Sequence, residues 1–441
     1  MKVLDKIKVD VANLKIGMYV CELDRPWNDS PFLLQGFMLN TEKDIRRVQK
    51  TCDYVYVDSH RSVNTDIQAE PSFQTENSYA RKKAAGLASQ HTGSNQVLDI
   101  NKPTEAKKIL GKGKPLTELP QPLSTTKFID ELPQARKIYG RLYKETSRIF
   151  DAVDTDQTPI VLPMIGLVLE VLGSIQRNPS AFEWIAMTNP DDKSVQQHCI
   201  NVCIIAMHFG HHIGLPDRFN RLLGLAGLTF DIGKLLISDA ILKKTTRLSE
   251  AEMRVMQMHT SAGHNILEAL GNLPLEAIQV AQRHHERLDG SGYPNQLKGE
   301  SIDLLSRIIG IVDTYNAIIT AKHHSDRSSP SRALDELYKM RNTAYDGELV
   351  EAFIRVAGMF PIGTAIQTQT GEIGLVVANN MKSRLSPSVL MVLDSQGRSY
   401  GEEKIIDFAQ TLNENGKPRY SIKQAVNAAS YDINTKDFFR N

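Results

Sequence analysis

Residues 284–294 read HHERLDGSGYP, and what this run requires governs the reading of the chain around it. Two adjacent imidazoles, His284 and His285, are followed by Glu286 and then by a loop in which Gly290, Gly292 and Pro294 stand beside Asp289 and Tyr293. Glycines let backbone N–H groups approach a phosphate or a base closely, so a ligand-facing loop hung on a pair of metal-ligating histidines fits the pattern. An ordinary helix-ending turn accounts for Gly-Tyr-Pro alone. It does not account for the histidine pair in front of it.

Further out, His198, Asp231, Lys234, His259 and Asp313 lie in QQHCINVCIIA, LAGLTFDIGKLLI, MQMHTSAGHNIL and IIGIVDTYNAI. Imidazoles and carboxylates among Leu, Ile and Val need partners, because an unpaired buried polar group is costly. A lone histidine in such a setting is best explained as a satisfied core residue. Separated motifs that recur in order are better explained as one metal centre. Mixed His and carboxylate ligation suits a divalent transition metal (Fe, Mn or Zn) over Mg or Ca. Two such ions ~3.5–4 Å apart support phosphoester hydrolysis by a bridging hydroxide.

The segments around these motifs predict a mainly α fold. Ile138, Leu142, Ile149 and Val153 recur at helical spacing, and helix follows helix over residues 133–345. Pro159–Ile175 is the most apolar run and reads as a buried helix, short of the ~20 residues that span a bilayer. Residues 1–62 read as a small N-terminal α+β domain, β-rich in VDVANLKIGMYVCELD and DYVYVDSH, with one helix over Thr41–Lys50. Within it, Trp27 and Phe32 read as part of a hydrophobic mini-core. Residues 63–132 are polar and aperiodic, as in a flexible linker. Residues 346–441 carry β-branched runs broken by Thr-Gly and Gln-Gly, a small C-terminal β extension.

Composition excludes several classes. Lys plus Arg (52) nearly balance Asp plus Glu (51), so no nucleic-acid polymer is an expected partner. The first residues alternate charged and apolar side chains with no hydrophobic leader, and the expected location is the cytoplasm. Four cysteines make no disulfide framework, and Cys199 and Cys203, spaced i, i+4, read as buried thiols packing as small apolar groups.

The stretch from His198 to Ala321, with HHERLDGSGYP and SRIIGIVDTYNAI, resembles the HD-GYP family, whose members hydrolyse the bacterial messenger cyclic di-GMP. LKIGMYVCELDRPW and VYVDS resemble the small domain of unknown function that often precedes it, and FPIGT…LVV the β extension that follows. The resemblance implies that His198, Asp231 and Asp313 hold a first metal. It implies that Asp231 bridges to a second, held by His259, His284 and His285. Asp231 and Lys234 are then the catalytic pair, with Lys234 facing a phosphate oxygen or the nucleophile. Gly290, Gly292, Tyr293, Pro294 and Lys322 are implied as substrate-binding. The implied cofactor is one or two divalent transition-metal ions. The implied partners are cyclic di-GMP, GGDEF-type diguanylate cyclases and a second copy of the chain.

This sequence departs from the family at three places. The dyad histidine is Phe230, which cannot ligate a metal. A glutamate that serves as a ligand in some relatives is Ser194, with Asp191 and Asp192 about a turn earlier. The basic Arg-Pro-Tyr-Arg-like run is replaced by Lys322, His323, His324 and Ser325. Hydrolysis is therefore expected to be weak or lost. The alternative is a non-catalytic sensor or a protein-interaction regulator.

Overall fold

The computed structural model describes residues 6–25, 37–39, 42–58, 62, 116, 124–155, 161–188, 194–320, 330–380, 383, 385–414 and 419–439. The expected linker over 63–132 lies almost entirely outside them, as do Trp27, Phe32, Asp191, Asp192 and Lys322 to Ser325. The chain divides into two compact units, Met1–Leu98 with Ser238–Arg254, and Asp99–Ile237 with Val255–Asn441.

The first unit is built on an antiparallel sheet of order β1-β4-β2-β3: β1 Lys6–Asp10, β2 Tyr19–Leu23, β3 Phe37–Met38 and β4 Tyr54–Asp58. Alternation along β4 buries Val55 and Val57, and helix α1 (Glu42–Thr51) adds Ile45 and Val48 to one core with Val9, Leu14, Met18, Val20 and Leu23. The predicted helix thus appears one residue later at each end. Gly17, with φ 94°, takes the turn into β2 that a side chain would strain.

The second unit is helical. Helix α2 (Phe128–Asp154) buries Ile138, Leu142, Ile149 and Val153, as the spacing predicts. Helices α3 (Leu162–Arg177) and α4 (Pro179–Met187) follow, then α5 (Val195–His212) and α6 (Asp217–Thr229). Cys199 and Cys203 on α5 are fully buried, with Cys203 Sγ 3.8 Å from Met207 Sδ. The short α7 (Asp239–Leu242) and the first residues of α8 (Glu250–Leu270) belong to the first unit, and the second continues with the rest of α8 and with α9 (Leu275–Arg283). Then come α10 (Leu304–Thr320), α11 (Pro330–Lys339) and α12 (Gly347–Ala357). The apolar run around α3 is buried on one face only, since Leu162 and Leu169 are exposed. No described helix is long and apolar enough to cross a membrane.

The C-terminal extension is an antiparallel sheet of order β8-β7-β6-β5-β9, from Ala365–Thr368 (β5), Ile373–Ala378 (β6), Ser388–Leu393 (β7), Ser399–Asp407 (β8) and Ile422–Val426 (β9). Its inner strands β6 and β7 are buried almost throughout, while β8 at the edge is largely exposed. After β9 the chain returns to the helices, where Phe439 packs edge-on against Phe128 and Trp184 with ring centroids 5.4 and 5.7 Å away.

Candidate metal centre

The predicted ligands converge inside the second unit. His198 comes from the first turn of α5, which is capped by Ser194, whose hydroxyl accepts the Gln197 N–H at 3.1 Å. Ser194 therefore caps a helix at the position where the resemblance implies a ligand. Asp231 sits where α6 gives way to the 3-10 turn Ile232–Leu236, which carries Lys234. His259 lies on α8, His284 and His285 at the end of α9, and Asp313 on α10.

Two groups of donors form. The ligating atoms of His259, His284 and His285 lie within 4.8 Å of one another, and those of His198, Asp231 and Asp313 do likewise. Asp231 is fully buried and reaches both groups. Its Oδ1 is 3.4 Å from His259 Nε2 and 3.7 Å from His284 Nε2. Its Oδ2 is 2.5 Å from Lys234 Nζ and 3.6 Å from His198 Nε2.

Hydrogen bonds on the far side of each ring fix the tautomers. His259 Nδ1–H donates to Met256 O at 2.6 Å, and His284 Nδ1–H to Val280 O at 3.1 Å. Both Nε2 atoms then present lone pairs, 3.3 Å apart, toward an Asp231 Oδ1 that has no hydrogen-bond partner among the described residues. Acceptors gathered in a buried space without a donor are unfavourable, and a cation among them resolves the conflict. This half of the centre fits a divalent metal. Burial holds His285 well below its ordinary value and His284 down to about 4, so these imidazoles stay neutral and ligand-ready.

The other half is arranged differently. His198 Nε2 contacts Asp313 Oδ1 at 2.8 Å, and its Nδ1 faces Asn316 Nδ2 at 2.8 Å. Burial opposes the charge of Asp313, yet the hydrogen bond and charge of His198 hold its carboxyl well below the usual range. Burial likewise opposes the charges of Asp231 and Lys234. Each one's charge outweighs that, lowering the carboxyl and raising the ammonium.

Phe230 stands between the halves. Its side chain is fully buried, 5.8 Å from the His198 ring and 4.8 Å from the His284 ring. It offers no donor atom. Behind it the backbones are close: a Cβ on Gly233 would fall inside van der Waals contact of the His259 carbonyl oxygen and the Gly263 nitrogen.

The Gly-Tyr-Pro loop is tied to the histidine pair by residues the sequence reading passed over. Glu286, 5% exposed, accepts the Asn295 N–H on Oε1 at 2.7 Å and the Leu297 N–H on Oε2 at 2.9 Å. Arg287 donates to His284 O at 3.1 Å and Glu286 O at 2.9 Å, with its guanidinium 4.7 Å over the Tyr345 ring. Gly290 takes φ 82°, and a Cβ on the buried Gly292 would strike the His285 carbonyl oxygen, so both glycines are required by the backbone. Tyr293 lays its ring 4.7 Å from that of His285, and Pro294 is exposed on the loop's outer side. A charged Glu and Arg amid this run were the available signal for the clamp. Nothing in the spacing singles out Asn316.

Comparison with known proteins places most of the chain in two family models. Residues 182–349 match the model of the HD domain, and residues 6–162 that of a domain of unknown function, DUF3391. A cyclic di-GMP phosphodiesterase of Pseudomonas aeruginosa is 24% identical over 405 residues, 91% of this chain and 89% of that one. A cyclic di-GMP phosphodiesterase response regulator of Xanthomonas campestris pv. campestris is 36% identical over 144 residues, 32% of this chain and 38% of its own. A 3'3'-cGAMP-specific phosphodiesterase of Vibrio cholerae is 32% identical over 160 residues, 36% of this chain and 37% of its own. The chain thus spans well under half of the latter two relatives. With HHERLDGSGYP in place and the donors gathered as described, the chain is a member of the HD-GYP family in which a DUF3391 domain accompanies the HD domain.

Proposed function

We propose that this chain binds cyclic di-GMP at a metal centre formed by His198, Asp231, His259, His284, His285 and Asp313, and that it hydrolyses the dinucleotide weakly or not at all. The observation that carries the reading is the fully buried Phe230, set against His198 and His284 at the junction of the two donor groups. A bound transition-metal ion supplies Lewis acidity and a deprotonated water for attack on phosphorus. Asp231 orients toward both groups, and Lys234 puts a positive charge beside it to meet a phosphate oxygen. Gly290, Gly292, Tyr293 and Pro294 shape the ligand side, and Lys322 supplies a cation without the two-pronged geometry of arginine. Losing a direct donor costs more than the ~10–100-fold that removing its supporting partner costs, which is why turnover is expected to be low.

The same observation favours a second reading, a sensor or interaction regulator that binds the ligand without cleaving it. GGDEF-type diguanylate cyclases and a second copy of the chain are its proposed partners, the cytoplasm its proposed location. The proposed domains are residues 1–62, 63–132, 133–345 and 346–441.

Calorimetric titration with cyclic di-GMP and with 3'3'-cGAMP, paired with chromatographic assay of linear dinucleotide and GMP in Mn(II) or Fe(II), tests both readings. Binding of cyclic di-GMP with slow turnover that Phe230→His raises supports the first. Binding with no turnover, before or after Phe230→His, supports the second. No binding of either dinucleotide refutes both.

A further inference from the structure

We infer that this chain holds a single transition-metal ion, in the half formed by His259, His284, His285 and Asp231 Oδ1, and that the Lys234 ammonium is the built-in cation of the other half. The inference deepens the reading above and rests on it for the existence of a metal centre.

The two halves differ atom by atom. In the first, His259 Nε2 and His284 Nε2 face each other at 3.3 Å, with both Nδ1 atoms already committed to the Met256 and Val280 carbonyls. Asp231 Oδ1 lies 3.4 and 3.7 Å from those nitrogens and is unpartnered among the described residues, and the His285 donor completes the group. Among the described residues no other group donates to Asp231 Oδ1, a cation would satisfy all of these acceptors at once, and three imidazoles with one carboxylate oxygen are a donor set for a transition metal.

In the second half the donors partner one another. Asp231 Oδ2 carries the Lys234 ammonium at 2.5 Å, and Asp313 Oδ1 contacts His198 Nε2 at 2.8 Å. An ion placed there would have to separate both contacts and sit beside a fixed positive charge on Lys234. Among the described residues its group contains one histidine, His198, because the neighbouring position holds the ring of Phe230. A ligand-poor site with its own ammonium is already partnered. A ligand-rich site with an orphaned oxygen is not. The asymmetry follows from the two residues at the end of α6: Phe230 removes a donor, and Asp231 turns one oxygen to each half.

The test is metal stoichiometry on the full chain, purified anaerobically and loaded with Co(II), read by elemental analysis and by the visible d–d band. The expected result is one equivalent, kept with an unchanged band in His198→Ala and lost in His284→Ala. Thermal melts check that each variant is folded, and His285→Ala serves if His284→Ala is not. Lys234→Met is expected to take up a second equivalent. Two equivalents in the unsubstituted protein, none at all, or loss of the ion in His198→Ala overturns the inference. A Lys234→Met protein that still holds one ion overturns the role given to Lys234. Calorimetry with cyclic di-GMP on the same cobalt-loaded sample separates the two ideas. Two ions with dinucleotide bound sinks only this inference, and one ion with no dinucleotide bound sinks only the earlier reading.

Discussion

The rings of Phe230 and His284 meet edge to face, centroids 4.8 Å apart and planes at 85°. This geometry is favourable between aromatic systems, worth about 0.5–1.5 kcal/mol beyond the area it buries. The ring therefore supports the histidine it cannot assist as a ligand. Phe230→Ala is expected to destabilise the chain by about 3–5 kcal/mol through the cavity it leaves. Phe230→His, lacking a buried partner in the metal-free protein, should cost about 1–3 kcal/mol. Urea titration of the metal-free proteins measures both. A Phe230→Ala variant as stable as the parent would mean that the ring is not packed as described.

Glu286 holds the loop by two backbone N–H groups, one on each carboxylate oxygen. Glu286→Gln keeps the shape but leaves one acceptor oxygen for two donors. A loss of about 1–3 kcal/mol is expected from the stranded donor. Limited proteolysis should cut between residues 287 and 298 faster than in the parent. Unchanged cleavage there would show that the loop is held by other contacts.

Gly233 lets the turn after Asp231 lie directly on the backbone of α8 at His259 and Gly263. Gly233→Ala should push these segments apart, costing about 1–3 kcal/mol and weakening metal affinity with it. Denaturant midpoints and a competition titration with a metal-sensitive dye report the two effects separately.

The pH dependence of the metal-free protein has a definite sign. Burial brings His284 and His212 down to about 4 in the folded chain, against an ordinary value of 6.5. Between those values the unfolded chain binds protons that the folded chain does not, so stability rises with pH. It is complete above about 6.5 and declines as the pH falls toward about 4. Urea midpoints at pH 7.5 and pH 5 should differ in that direction with an unchanged slope. A higher midpoint at pH 5 would contradict the burial of these rings.

Removing metal should lower the melting temperature, because an ion that binds only the folded chain stabilises it by about 2.7 kcal/mol at a hundred times its dissociation constant. Differential scanning with and without chelator, at fixed protein concentration, checks this.

Much of this architecture was legible in the sequence, for identifiable reasons. The helical spacing of Ile138, Leu142, Ile149 and Val153 predicts α2, because a stripe of that period has to be buried. The five chemical motifs predict the centre, because each sets an imidazole or a carboxylate in apolar surroundings where only a shared partner satisfies it. The exposed face of α3 was not legible, since apolarity alone does not say which side of a helix meets the core. Nor was the assignment of each Asp231 oxygen to one half, which depends on how α6, α8, α9 and α10 meet in space. Ser194 looked like a lost ligand and turns out to cap α5, a role that needs only its hydroxyl and the local turn.

His285 and Glu286 are consecutive residues, one a donor of the metal group and the other the anchor of the Gly-Tyr-Pro loop. A single peptide unit therefore joins the donor group to the loop beside it. A dinucleotide that shifts the loop must turn the imidazole as well, so its arrival should be visible as a change of colour in the cobalt-loaded protein. Such a change would report binding even where no bond is broken.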